Sequence, residues 1–185
     1  MKRLLILCGA PGSGKTRISN YLQQQYKFSR VITHTTRPAR PAEVAGQDYY
    51  FESELSFKKH HYFERVVYDQ YHYGSSREGL EQAWNKSDNA VIVLDTKGAL
   101  TYCQQLPEQT ICCYITVSTP QILLQRVEHR EVTGKKHLQS QEGQRDLQIP
   151  VELKDKCQVL INDEWQQTVK NLERVLKRNG LLSEV

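Results

Sequence analysis

Short apolar runs alternate along this chain with stretches whose apolar residues recur at helical spacing. Leu4 to Cys8, Arg30 to Thr33, Ala90 to Leu94, Thr110 to Val117 and Gln158 to Ile161 read as buried strands. Thr16 to Gln25, Arg77 to Trp84, Gly98 to Gln105, Pro120 to Arg130 and Trp165 to Arg178 read as helices. Alternation of this kind predicts an α/β fold, a parallel sheet covered by helices with its ligand at the carboxyl ends of the strands. Two segments break the pattern. Thr35 to Tyr73 is rich in Pro, Arg, His and Tyr, and its short alternating pieces, Tyr49 to Phe51 and Tyr62 to Tyr68, predict a small antiparallel insertion. Glu131 to Asp146 is polar, carries Gly134 and Gly143, and reads as a mobile lid or surface loop.

Composition narrows the class. A chain of 185 residues supports one well-buried domain, and 38% hydrophobic with 25% charged residues describes a soluble globular protein. No apolar run approaches the roughly 18 residues of a membrane span, and Met1-Lys2-Arg3 leads directly into a strand. Neither a membrane segment nor a signal peptide is therefore expected, and the expected location is the cytoplasm. The five cysteines are odd in number and lack metal-ligand spacing, and Cys112-Cys113 lie inside an apolar run. Free core thiols are expected in preference to disulfides or zinc. A net charge of +4 without a basic run does not indicate a nucleic-acid surface, and local phosphate clamps account for it equally well.

The segment Gly9-Ala10-Pro11-Gly12-Ser13-Gly14-Lys15-Thr16 joins the first strand to the first helix. It matches G-x-x-x-x-G-K-[ST], in which backbone N–H groups cradle phosphates, the lysine reaches the β- and γ-oxygens, and the final hydroxyl faces Mg²⁺. Glycine is required because a side chain would block the anion and resist the backbone angles. A Gly/Pro turn before a helix is the plain alternative, but the flanking strand and helix favour a nucleoside triphosphate site.

A second anion site is indicated by Thr35-Thr36-Arg37-Pro38-Ala39-Arg40-Pro41, where prolines hold the backbone extended and two guanidinium groups can clamp bidentately. Taken singly, Arg37 and Arg40 can be solvated loop charges, Tyr49 and Tyr73 wall residues, and Glu64 a surface carboxylate. In this order they resemble the guanylate kinase family, whose pattern runs S-x-T-T-R-x-x-R-x-x-E-x-x-G-x-D-Y-x-F, then a Glu nine residues before Tyr-Gly-[ST]. Here Thr33 to Phe51 carries the first part, and Glu64 stands nine residues before Tyr73-Gly74-Ser75. The resemblance runs from the first strand to about Leu100 and resumes at Arg126 and Asn162.

That resemblance implies a nucleoside monophosphate kinase with ATP as co-substrate and Mg²⁺ as cofactor, passing the γ-phosphoryl group to GMP or dGMP. It implies a single domain with its core at 1–33, 74–130 and 147–185, an acceptor-binding insertion at 34–73 and a lid at 131–146. Gly9 to Thr16 and Asn162 would bind ATP. Arg37, Arg40, Tyr49 and Tyr73 would hold the acceptor phosphate, while Glu64, Thr33, Ser75 and Asp95 would hold guanine. Lys15, Arg37, Arg126 and Arg130 would be catalytic. Small-molecule nucleotides are the implied partners, with no nucleic acid or membrane, for a monomer or homodimer.

The chain departs from the family pattern twice. Val93 occupies the first acidic position of L-D-x-D-x-x-G, where Asp95 keeps the second. The lid arginine expected eleven residues after Arg130 is Gln141; the local pattern places His137 there, so this cation is weakened, relocated to Arg145 or missing. Two further activities therefore stay open at this level: a kinase of the same fold acting on another phosphorylated acceptor such as ribose 1,5-bisphosphate, and a guanylate-kinase-like binding module without catalysis.

Overall fold

The computed structural model describes residues 1–128 and 138–182. Its central sheet is parallel and five-stranded. In spatial order it contains β2 (Ser29–Arg30), β7 (Asn89–Val93), β1 (Arg3–Cys8), β8 (Thr110–Thr116) and β9 (Cys157–Ile161). The pleat of β1 sends its side chains alternately to two cores. Leu4, Ile6 and Cys8 pack with Leu80 and Ala83 of α3 (Arg77–Lys86) and with Ala99 and Tyr102 of α4 (Thr96–Gln105). Leu5 and Leu7 pack with Ile18 and Leu22 of α1 (Lys15–Tyr26) and with Leu172 and Leu176 of the carboxyl-terminal α8 (Trp165–Arg178). Apolar residues on both faces are what a sheet covered by helices on both sides requires.

A second sheet has the order β4 (Tyr50–Phe51), β3 (His34–Thr35), β6 (Tyr71–Ser76) and β5 (Tyr62–Tyr68). The short helix α2 (Glu54–Phe57) lies between β4 and β5. Asp69 and Gln70, both at positive φ, make the two-residue turn that suits the twist of the β5–β6 hairpin. β3 pairs antiparallel with β6 but parallel with β4, so the insertion is mixed where alternation predicted antiparallel pairing throughout. Phe63 of β5 stacks against Tyr102 of α4 at 4.4 Å between ring centroids and joins this sheet to the main core.

Three expectations change. The strand read at Arg30 to Thr33 pairs with β7 only at Ser29 and Arg30, with one further bond from Val31 N to Val91 O; the Thr33 carbonyl instead accepts from Tyr50 N at 2.9 Å. The chain leaves one sheet and enters the other within that apolar run, a division that periodicity does not register. Cys112 and Cys157 form a disulfide, correcting the expectation of free thiols, while Cys8, Cys103 and Cys113 are free and buried. The two bonded residues are register partners on adjacent parallel strands, with Cα atoms 4.5 Å apart, an adjacency concealed by their separation of 45 in sequence. Finally, the described part of the polar segment is docked. Leu138 is buried with Ala10, Leu123 and Val127, and α6 (Gln141–Arg145) is capped by Ser140, whose hydroxyl accepts from Gly143 N. A four-residue helix, α7 (Val151–Lys154), follows and buries Leu153.

Candidate active site

The loop after β1 turns through Gly9, Gly12 and Gly14, all at positive φ. Gly9 and Gly14 also lack room for a side chain, since a Cβ would meet the Ile115 carbonyl at one and the Asn162 amide at the other. Lys15 folds back over the loop, its Nζ donating to the carbonyls of Gly9 at 2.5 Å and Ala10 at 3.0 Å. The loop is braced from the end of β9. Asn162 is buried, its Nδ2 donates to the Ser13 carbonyl at 2.7 Å, and its Oδ1 accepts from the Thr168 hydroxyl at 2.9 Å. Both ends of that amide are thus engaged in holding the loop. Thr16 is exposed in the first turn of α1.

Beyond the strand ends lies a cavity of about 360 Å³ between the two sheets. Gly9, Pro11 and Lys15 form its loop side, and Thr33, Arg37, Arg40, Tyr49, Glu64, Tyr73 and Asp95 line the remainder. Ten residues separated by up to 86 positions in sequence are thereby brought to one space. Ser75 is buried beside it and donates to Glu64 Oε1 at 3.2 Å.

The arginine loop is stitched to the second sheet by its two threonines. Thr35 Oγ1 donates to the His72 carbonyl and accepts from Arg37 N, while Thr36 Oγ1 accepts from His72 N. Arg37 Nη2 donates to both carboxylate oxygens of Glu43 at 2.7 and 2.8 Å, Nη1 donates to the Pro38 carbonyl at 2.7 Å, and the guanidinium lies 5.6 Å from the centroid of Tyr49. The hydrogen bonds from Arg37 hold the Glu43 carboxyl below its ordinary range, and Glu43 raises the guanidinium. Tyr49 and Tyr73 meet edge to face at 6.0 Å. Two cations and two phenols thus face the cavity from one side.

On the other side stand carboxylates. Burial, and then the charge of Asp95, push the Glu64 carboxyl up to about 7. Asp95 caps α4 by accepting from Gly98 N at 2.6 Å, and its other oxygen accepts from Arg145 at 2.7 Å. Gly98 matters here because a Cβ would lie 3.2 Å from Asp95 Oδ1 and 3.4 Å from the Glu64 side chain. Asp146, also in the lining, is buried and accepts from the Thr96 hydroxyl at 2.6 Å. Val93 lines the cavity as an apolar wall.

Three further candidates fall elsewhere. Arg126 is on α5 (Pro120–Glu128), whose Leu123 and Val127 abut Gly12 of the loop. One of its nitrogens donates to the Asp163 carbonyl at 3.2 Å, and Nη1 is buried with no hydrogen-bond partner among the described residues. Arg130 and His137 lie outside the described residues. Glu43, Glu142 and Asp146 belong to the cavity but were not singled out as site residues. Glu43 could have been found from its place in the arginine-loop pattern, whereas the lid acids give no signal in sequence.

The guanylate kinase family model matches residues 1–179. Guanylate kinase from Chlamydia muridarum is 33% identical over 148 residues, covering 77% of this chain and 70% of the relative. That from Chlamydia caviae is 29% identical over 180 residues, covering 94% and 86%. A crystal structure of guanylate kinase from Anaplasma phagocytophilum superposes with a TM-score of 0.66 at 20% identity, covering 98% of this chain and 88% of that one, and so shares the fold. A glycine-rich loop ending in Lys15, an arginine-bearing loop stitched to the second sheet and a family match over residues 1–179 lead to one assignment: the chain belongs to the guanylate kinase family.

Proposed function

We propose that this protein transfers the γ-phosphoryl group of ATP to GMP, giving ADP and GDP, within the cavity between the two sheets. The observation that carries this reading is that Lys15, the pair Arg37 and Arg40, and the half-buried Glu64 share one space. These groups correspond to donor phosphate, acceptor phosphate and base. Guanine presents an N1–H and a 2-amino group as donors, and a carboxylate that already accepts from Ser75 can accept both. Adenine offers an unprotonated N1 in the same place, which leaves the half-buried carboxylate with Ser75 and without either ligand donor.

The acceptor phosphate is already an oxyanion near neutral pH, its second pKa being about 6, so no general base is needed. The work of the site is to bring two anions together and to stabilise the spread charge of the transferring group. Arg37 and Arg40, with Tyr49 and Tyr73, bind the acceptor phosphate, and Arg37 exchanges its Glu43 partner for the ligand. Lys15 moves from loop carbonyls to phosphate oxygens. Arg126 Nη1, buried and without a hydrogen-bond partner among the described residues, is the kind of donor that a donor phosphate would satisfy. Arg130 is assigned to the transferring group by its family position alone. Asn162 acts through the loop it braces. Thr16 fits Mg²⁺, since an exposed hydroxyl next to the phosphate cradle suits an ion that keeps most of its waters and takes one or two protein oxygens. An ion held there with the triphosphate would supply positive charge against the phosphates.

A coupled assay with ATP against GMP, dGMP and ribose 1,5-bisphosphate, run on the parent and on Lys15→Ala, tests this reading. GMP turnover that falls by about two orders of magnitude or more in Lys15→Ala is expected. Turnover of the ribose bisphosphate in preference to GMP, or Lys15→Ala within about tenfold of the parent, contradicts it.

A further inference from the structure

Three metal-binding side chains meet at one end of the second sheet, and none of them lines the catalytic cavity. His34 stands on β3, Glu52 directly follows β4, and His60 lies in the turn between α2 and β5. His34 Nδ1 and His60 Nε2 both lie 2.9 Å from the same oxygen, Glu52 Oε1, and the three atoms are all within 4.8 Å of one another. The two imidazole centroids are 4.2 Å apart. We propose that His34 Nδ1, His60 Nε2 and Glu52 Oε1 form a binding site for a divalent transition-metal ion of the zinc class, with the fourth position open to solvent beside His60.

The donor set is the first reason. Two imidazoles and one carboxylate are a recurrent zinc set, with a remaining position for water. Ligands at about 2.0–2.2 Å around a tetrahedral ion stand about 3.4 Å apart, and this triangle reaches that spacing through small side-chain shifts. The surroundings are the second reason. Metal-bound histidines and carboxylates are held from behind by a hydrogen bond on the atom that does not bind the ion. Here His34 Nε2 is 2.7 Å from Ser76 Oγ, and the Ser56 hydroxyl donates to Glu52 Oε2 at 2.5 Å. Exposure is graded from 3% at His34 through 14% at Glu52 to 26% at His60, which gives an entry side and a closed side.

Protons balance without release. A neutral His34 that donates from Nδ1 to Glu52 shifts its hydrogen to Nε2 and donates to Ser76, freeing Nδ1 for the ion. His60 makes the corresponding shift to Nδ1. The consequence is positional. The ion ties β3, three residues before Arg37, to the segment after Tyr49 to Phe51 and to the turn before β5, which carries Glu64. It therefore fixes the acceptor half of the cavity without touching substrate. The other group of metal-type ligands among the described residues, Cys8, Cys112 and Cys157, has two of its sulfurs already bonded to each other.

The test titrates Zn²⁺ calorimetrically into the metal-free, disulfide-bonded protein and follows Co²⁺ by visible absorption. About one ion per chain is expected, with a dissociation constant in the micromolar range or below, and with Co²⁺ d–d bands free of a thiolate charge-transfer band. His60→Gln is the lead variant, because its side chain is at the rim and its folding can be verified by circular dichroism. It should weaken Zn²⁺ binding by about 100-fold, and Ser56→Ala, which removes the hydrogen bond behind Glu52 together with the one that Ser56 accepts from Ser53 N in the cap of α2, by about tenfold. Zn²⁺ should also raise the thermal midpoint of the parent and leave that of His60→Gln unchanged. Dissociation constants above about 1 mM, equal affinity in folded His60→Gln, or a thiolate band would each overturn the site.

Discussion

In the proposed GMP site, Glu64 is a residue at which proton and ligand would compete. Burial and the neighbouring Asp95 raise its carboxyl to about 7, so near neutrality it is partly protonated in the free protein. The donors of guanine stabilise the carboxylate, so binding GMP lowers that pKa and expels a proton. The sign follows: affinity is full above pH 7 and declines as pH falls through it. GMP affinity should drop about tenfold between pH 8 and pH 6 beyond the change seen in Glu64→Gln, a comparison that removes the titration of the GMP phosphate itself. Equal pH dependence in parent and variant would show that Glu64 is not the titrating group. The residue types and spacing of Arg37, Arg40, Tyr49, Glu64 and Tyr73 were legible in the sequence because a family pattern ties them together. Their burial and pairing were not. Spacing did not reveal that both oxygens of Glu43 accept from one nitrogen of Arg37 while the other donates to the Pro38 carbonyl, because that pairing depends on how a proline-rich loop folds back on itself.

At the scale of elements, the arginine shortfall in the lid resolves into a question about α6. Arg145 ends that helix and pairs with Asp95, the cap of α4, at 2.7 Å and with Asp146 at 3.6 Å. It therefore joins the lid segment to the base end of the cavity. Arg145→Ala should raise the KM for GMP by about fivefold while kcat stays within about threefold, the pattern of an interaction equal in ground and transition states. A loss of about two orders of magnitude in kcat would place Arg145 on the transferring group instead. The loop brace gives a second prediction: Asn162→Ala frees the Ser13 carbonyl and should raise the KM for ATP more than that for GMP, measured with the other substrate saturating. A larger effect on GMP would remove Asn162 from the donor side. Strands and helices of the core were legible from periodicity, since each buries a regular face. The short pieces were not, because β2, β3 and β4 are two residues each and are set by pairing across the sheets.

The whole molecule is two apolar cores on either face of one sheet, with the cavity where that sheet meets the second. Its one disulfide joins β8 to β9 across a closed loop of 45 residues. Cys157→Ala should lower the free energy of unfolding by about 2–4 kcal/mol in denaturant titrations, and an unchanged midpoint would show the crosslink to be energetically idle. Such a bridge was illegible in sequence because it depends on register between strands that are not consecutive in the chain. The α/β class and a cavity beyond the strand ends were legible, because a glycine-rich loop after the first strand points to both. In the proposed reaction one cavity selects its acceptor by the N1 and 2-amino donors of guanine at Glu64. The most direct test of that selection is kcat/KM with ATP and the series GMP, IMP and AMP, which present two, one and none of those donors. The expected order is GMP, IMP, AMP, with each lost donor costing about 10- to 100-fold and with the series flattened in Glu64→Gln. AMP accepted as well as GMP by the parent protein would contradict it.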